Sequence, residues 1–263
     1  MDRLRAVFNK AKEWGWEGVN PTAGIKKHKQ KSRDRYLTSE EMPKFFEALN
    51  ELNHDTIKDF IWIALLTGAR KSNILSMEWQ HVNFKDKSWY LPDTKNDTSQ
   101  LIPLVEEALD ILKNRFKTKN SKWVFPSKMS ESGHLEEPKK VWKRVLQNAT
   151  CKIWLTNADL RETIKRAQTN ASISSDAELF AAIKKQAKKD GAELPTGIVD
   201  VRFHDLRRTL GSWLARTGAS QYIIGKTLNH KSPKSTAVYA RLSIDPVRTS
   251  MKEAIQMMHS GKK

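Results

Sequence analysis

The stretch "TIKDFIWIALLTGAR", residues 56–70, sets the tightest limit on what this chain can fold into. It is apolar around most of its circumference, the pattern of a helix buried by its neighbours, and Gly68 marks where it ends. A helix of that kind must be wrapped by other elements, and the chain supplies them. Thr38 followed by Glu41 is a capping box, predicting a helix from there to about Leu52. "KSNILSMEW" reads as a short helix, and "VEEALDILKNRF" and "PKKVWKRVLQNA" as amphipathic ones. Residues 81–104 alternate and turn. Trp89 and Tyr90 favour strand, and Lys95-Asn96-Asp97 falls at a turn between two strands. From Phe203 onward the chain is helical again, broken at "TGAS" and "NHKSPKS". The expected fold is mainly α with a small antiparallel β-sheet, an α+β domain.

Two further segments differ in tone. Residues 3–16 carry Leu4, Val7, Phe8, Ala11 and Trp14 at helical spacing, stopped by Asn20-Pro21. Residues 150–199 read as two polar helices, "DLRETIKRAQ" and "SSDAELFAAIKKQAKKDG". The second has a Ser175–Glu178 capping box and Gly191 as its stop. No repeat stands out.

Charge narrows the partner. The 263 residues include 47 Lys and Arg against 30 Asp and Glu, a net +17. An excess that large favours a polyanion. No run of eighteen apolar residues exists, so no transmembrane helix is expected, and the N-terminus lacks the apolar core of a secretory signal. A single cysteine, Cys151, excludes an internal disulfide framework and suits a reducing cytoplasm. Nucleic acid is the leading partner. Residues 25–35, "IKKHKQKSRDR", read as a basic linker. Lys26, Lys27, Lys29, Lys31 and Arg33 are candidate phosphate contacts, with Arg208 as another; a plain solvated tether is the alternative for the linker.

Candidate phosphate ligands are scattered along the chain. "FHDLRRTL" puts His204 and Arg207 on one helix face. Arg70 follows the end of the apolar helix, Lys95 sits at the hairpin turn, and His230 precedes Tyr239 by nine residues. Arginine matches phosphate oxygens with a planar fork, lysine can surrender a proton, and a positioned tyrosine can act as a nucleophile. Each also has a plainer reading. Arg70 could be a charge at a helix C-terminus, Lys95 a solvated turn lysine, and His204 and Arg207 a helix turn with a surface ion pair to Asp205. His230 could be a turn residue and Tyr239 a core residue. Spacing alone gives a phosphate-binding basic protein, and leaves "LARTGASQYIIGKTLNH" readable as a helix-turn-helix DNA reader.

The blocks "LLTGARKSNILSMEW", "TKNDTSQLIPL" and "HDLRRTLGSWLARTGASQYIIGKTLNHKSPKSTAVYARL", in that order, resemble the signature blocks of tyrosine recombinases, with greatest similarity to phage and genomic-island integrases. The resemblance implies a tyrosine-recombinase or type IB topoisomerase-like catalytic domain. It assigns Arg70 and Arg207 to clamping the scissile phosphate, Lys95 to general acid, His204 to proton handling, His230 to a phosphate contact and Tyr239 to the nucleophile. It implies cleavage and religation of double-stranded DNA to integrate or excise a mobile element, with no metal, nucleotide or membrane. It further implies a homo-tetramer on DNA that exchanges its C-terminal segment in trans, with a monomer for an isolated fragment, and a bacterial cytoplasmic, nucleoid-associated location. The alternatives are a non-catalytic DNA-binding protein that keeps the fold, and a topoisomerase that relaxes supercoils without site preference.

The same resemblance suggests an organisation. Residues 1–24 would be the last helix of a core-binding domain, 25–35 a linker, 36–258 the catalytic domain and 259–263 a tail. Residues 150–199 would be an insertion, and the stripe Val247, Met251, Ala254, Ile255 and Met258 the exchanged segment. Asn73 departs from the pattern, standing where many relatives place an acidic residue.

Overall fold

The computed structural model describes residues 1–26, 33–92, 99–169, 173–230, 232–240, 248, 251–253, 255–256 and 258. The chain divides into two units, Met1–Asp34 and Arg35–Lys263. In the first, α1 (Asp2–Glu13) ends earlier than its periodicity predicts, because Gly15 takes a left-handed φ of 90°. The Arg5 guanidinium donates to the Thr22 and Ile25 carbonyls and fastens the following loop, while α1 itself buries no residue.

In the second unit, α2 (Glu41–Asn50) and α3 (Asp55–Thr67) are followed by the short α4 (Lys71–Leu75). Half of the predicted capping box forms. The Thr38 N–H donates to the Glu41 carboxylate at 3.0 Å, but the Thr38 hydroxyl turns to Glu40 instead, and the helix opens at Glu41. Glu41 is also claimed by Arg35, which bonds Asp200 as well. Those bonds set Arg35 with the second unit, although its sequence reads as linker. Strands β1 (Val82–Asn83), β2 (Ser88–Leu91) and β3 (Gln100–Pro103) form an antiparallel sheet in chain order, with Trp89 opposite Ile102 and Leu91 opposite Gln100. Helix α5 (Glu106–Lys117) follows.

Helix α3 is the hub. Ile57, Phe60, Ile61, Ile63 and Ala64 are all buried on it, and each large side chain removed from water contributes about 1.5–3 kcal/mol. Phe60 stacks on Phe203 at 4.9 Å and meets Phe125 edge-on at 5.6 Å. Trp142 continues the aromatic chain from Phe203 to Phe45. These rings join α2 and α3 to α6 (Lys139–Leu155) and α9 (Phe203–Arg216).

Helix α6 runs past its predicted end because Cys151 and Trp154 bury in a second, smaller core with α7 (Arg161–Thr169) and α8 (Asp176–Asp190). Trp154 stacks on Phe180 at 5.0 Å. The Ser175 cap and the Gly191 stop both form as the sequence predicts. Burial pushes the Cys151 thiol up to about 12, so it stays protonated at neutral pH. A third small cluster joins α9 to α10 (Gln221–Thr227) and α11 (Pro233–Ala240) through Leu210, Ile224, Leu228 and Tyr239. The result is mainly helical with one small antiparallel sheet. Among the described residues, no helix is long and apolar enough to cross a membrane.

Gly68 closes α3 in the left-handed region at φ 59°, and a Cβ there would lie 2.8 Å from Leu210 and 2.9 Å from Leu228. Gly68→Ala is expected to combine backbone strain with a clash and to lower stability by roughly 1–3 kcal/mol, read as a lower urea midpoint.

Candidate phosphate-binding site

The turn after α3 delivers Arg70 to the start of α4, where its backbone is extended at φ −66° and ψ 141°. Its side chain is partly exposed and has no hydrogen bond or ion pair among the described residues. Arg207, one turn into α9, is buried to 6 % exposure. Its Nη1 donates to the Gly68 carbonyl at 2.6 Å and its Nη2 to the Leu228 carbonyl. Gly68 caps the C-terminus of α3 and Leu228 that of α10. The guanidinium is therefore held between the negative ends of two helix dipoles, with no carboxylate paired to it among the described residues. Burial and the nearby Arg70 charge lower its pKa to about 10, so it remains a cation at neutral pH. Arg70 lies close enough for its charge to act on Arg207.

Asp205 does not make the surface ion pair considered from sequence. It is fully buried, accepts from the Arg202 N–H at 2.8 Å and pairs with Arg208 at 2.9 Å. Arg208 is thus fixed one turn from His204 by an internal acid, and Arg207 is left to the helix ends.

The histidines lie in the same field. Partial burial, then Arg208 and Arg207, hold the His204 pKa below its usual value. His204 also edges a cleft of about 760 Å³ floored by Trp142, Val201 and Phe203. His230 is lowered further, to about 4, by burial first and then by Arg207, Arg70 and His204. Its Nδ1 lies 3.0 Å from the Thr236 Oγ1, and its ring stacks 6.1 Å from that of Tyr239 at an interplanar angle of 9°.

Tyr239 is 5 % exposed and covers Gly211, where a Cβ would meet its ring at 2.7 Å. Burial raises the Tyr239 pKa, while Arg207 and Arg208 pull against that rise. The phenol is therefore protonated at rest. It is near enough to the guanidinium groups for their charge to favour the phenolate.

Five of the six residues singled out from sequence thus share one electrostatic neighbourhood: Arg70, His204, Arg207, His230 and Tyr239. Lys95 lies outside the described residues, as do Lys27, Lys29 and Lys31. The β2–β3 ladder ends at Leu91–Gln100, and Gln100 donates to the Thr227 carbonyl at 3.4 Å, beside the end of α10. Lys26 and Arg33 belong to the first unit, and of the tail stripe only Met251, Ile255 and Met258 are described, all exposed. Thr236 escaped the sequence reading. Its signal was its place three residues before Tyr239 on one helix face. Among the described residues no group of three His, Cys, Asp or Glu side chains is placed to hold a metal ion.

The phage integrase family model matches residues 35–245. The integrase of Salmonella phage P22 is 26% identical over 243 residues, 91% of this chain and 52% of that protein. The prophage integrase IntF of Escherichia coli K12 is 35% identical over 118 residues, 43% of this chain and 25% of IntF. The chain thus spans about half or less of the length of these curated relatives. Among solved structures, XerA recombinase aligns with TM-score 0.51 and 16% identity, covering 95% of this chain and 74% of that one. The Tn1549 transposon integrase in complex with transposon right end DNA aligns with TM-score 0.56 and 15% identity, covering 95% and 76%. At such identities the likeness is one of fold, and it agrees with the expected recombinase-like catalytic domain.

The His230 shift has a sign that stability measurements can read. Unfolded, the ring titrates near 6.5; folded, near 4. Between those values the unfolded chain binds the extra proton, so stability falls as pH drops from about 6.5 to about 4. His204 contributes in the same direction. His230→Gln should shrink the fall in urea midpoint between pH 7 and pH 5; an unchanged fall would contradict the depressed pKa.

Proposed function

Since this chain belongs to the phage integrase family, matched over residues 35–245, we propose that it is the catalytic region of a site-specific DNA recombinase. The observation that carries the proposal is Arg207, a buried guanidinium paired with no carboxylate among the described residues, near Arg70, both histidines and Tyr239. Arg70 and Arg207, neither paired with a carboxylate among the described residues, repel each other. A phosphodiester entering among them relieves that repulsion.

In the reaction, the Tyr239 oxygen attacks phosphorus. A bond forms between them, the bond to the 5′ oxygen of the next nucleotide breaks, and a 3′-phosphotyrosyl link remains. Phosphodiester chemistry of this kind asks a catalyst for about 8–23 kcal/mol. Arg70 and Arg207 donate to the non-bridging oxygens, and each preorganised donor contributes about 2.7–4 kcal/mol. His230 serves as a neutral donor, because burial and then the neighbouring arginines keep it uncharged at neutral pH. His204 handles the phenol proton, and Lys95 protonates the departing 5′ oxygen. Attack by that 5′ hydroxyl, or by one from another duplex, reverses the step. The phosphotyrosine conserves the bond energy, so no ATP is needed.

The partner on this reading is double-stranded DNA. Lys26, Lys27, Lys29, Lys31, Arg33 and Arg208 are its backbone contacts outside the clamp. Four copies assemble on two sites, with the C-terminal stripe exchanged between them. The relatives' names support insertion or excision of a mobile element as the purpose.

Nicked suicide duplexes drawn from the junctions of the element that carries the gene test the proposal. The wild-type chain should become covalently linked to DNA, and Tyr239→Phe should bind with unchanged salt dependence but form no adduct. Arg70→Ala and Arg207→Ala should each slow adduct formation by roughly 100–1,000-fold. Binding by the wild type without any adduct would favour a DNA-binding protein that has lost catalysis.

A further inference from the structure

We propose that Thr236 is a positioning residue that sets the tautomer of His230, holding the proton on Nε2 so that this nitrogen donates to the phosphate. The role of the imidazole in phosphate contact rests on the recombinase reading; the tautomer does not.

The geometry points to it through hydrogen-bond accounting. Thr236 is 2 % exposed, and among the described residues its hydroxyl has one hydrogen-bond partner, the His230 Nδ1 at 3.0 Å. A hydroxyl carries one proton and can also accept. If Nδ1 held the imidazole proton, it would donate to Oγ1 and leave the Thr236 proton with no acceptor. A buried, unsatisfied donor is costly. If Nδ1 is bare, the Thr236 hydroxyl donates to it and is satisfied. The second arrangement puts the single proton of the neutral ring on Nε2.

The surroundings allow the ring little freedom to escape this choice. The His230 N–H donates to the Gly225 carbonyl at 2.9 Å, fixing the backbone. Asn229 ahead of it adopts a left-handed φ of 47°, which re-aims the chain out of α10. The ring faces Tyr239 in near-parallel stacking. Gly225 leaves room for the hydroxyl, since a Cβ there would approach Oγ1 to 3.1 Å. A threonine is suited to this place: its methyl packs in a tight space while its oxygen faces the ring.

The consequence is specific to a histidine kept neutral. A charged imidazolium donates from both nitrogens, and its tautomer is irrelevant. A neutral ring has one N–H, and the wrong tautomer would aim a lone pair at an anionic oxygen.

Nitrogen-15 NMR of the histidine rings at pH 7 tests this without DNA. In the wild type and in Thr236→Ser, the His230 Nδ1 should resonate as an unprotonated nitrogen and Nε2 as a protonated one. In Thr236→Val, which keeps shape and loses the hydroxyl, the two forms should mix. On a suicide duplex, Thr236→Val should form adduct roughly 10–100-fold more slowly at saturating DNA, by analogy with loss of the partners that orient metal-bound histidines, and Thr236→Ser should stay within a few-fold of wild type. A wild-type His230 protonated on Nδ1, or a Thr236→Val variant that cleaves at the wild-type rate, overturns the proposal. If the wild-type tautomer is as stated but no adduct forms with any variant, the recombinase reading falls and the tautomer assignment stands.

Discussion

The molecule is organised around one buried cation. Removing a guanidinium from water costs several kcal/mol in practice, and most proteins offset that with a carboxylate. Here the offset comes from the Gly68 and Leu228 carbonyls, at the C-terminal ends of α3 and α10. A helix terminus in a partly buried setting contributes up to about 2 kcal/mol toward a cation, and hydrogen bonds to a charged group add about 1.5–3 kcal/mol. The difference in kind matters more than the sum. A carboxylate would neutralise Arg207, whereas carbonyl dipoles stabilise it and leave a full positive charge for an incoming anion. Asp205, two positions before Arg207 on the helix, is turned inward to Arg208 and the Arg202 N–H.

That arrangement dictates the packing around it. Gly68 must be left-handed to aim its carbonyl at α9, and must lack a side chain because Leu210 and Leu228 press against it. Gly211 must be bare for Tyr239 to lie over α9. Both glycines serve the same end, bringing α3, α9, α10 and α11 close enough for residues far apart in sequence to share one field. The histidines report how strong that field is. Each is driven toward the neutral form by burial first, then His204 by Arg208 and Arg207 and His230 by Arg207 and Arg70.

Much of this was legible in the sequence, for local reasons. The end of α3 at Gly68, the cap at Ser175 and the stop at Gly191 each follow from the conformational needs of one residue and its near neighbours. The convergence of Arg70, His204, Arg207, His230 and Tyr239 was reached through the order and wording of the signature blocks; spacing alone left each with a plainer role. What stayed hidden depended on distant contacts. Nothing near Asp205 in the chain signals that it is buried, or that it chooses Arg208. Nothing near Arg207 names Gly68, 139 positions away, as its partner. Arg35 reads as linker because its two acids, Glu41 and Asp200, are brought to it only by the folded core. Thr236 looked like one polar residue of a short helix until His230 was placed against it.

The segment from Cys151 to Val199 has a small core of its own. Its helices bury their apolar faces on each other, with Trp154, Ile164, Phe180 and Ile183 forming a centre separate from the one around α3. The chain leaves the main core along α6 at Thr150 and returns at Ile198. Those two points touch: the Ile198 N–H donates to the Thr150 hydroxyl at 3.0 Å, and Gly197 at φ 60° packs against the same side chain. When the exit and re-entry of a segment meet, its internal length can change with little cost in loop closure to the rest. Beyond that junction the chain passes through Asp200, held by Arg35, and Val201, in the main core, straight into α9. The helix that carries His204 and Arg207 is therefore anchored just downstream of the junction, in the main core.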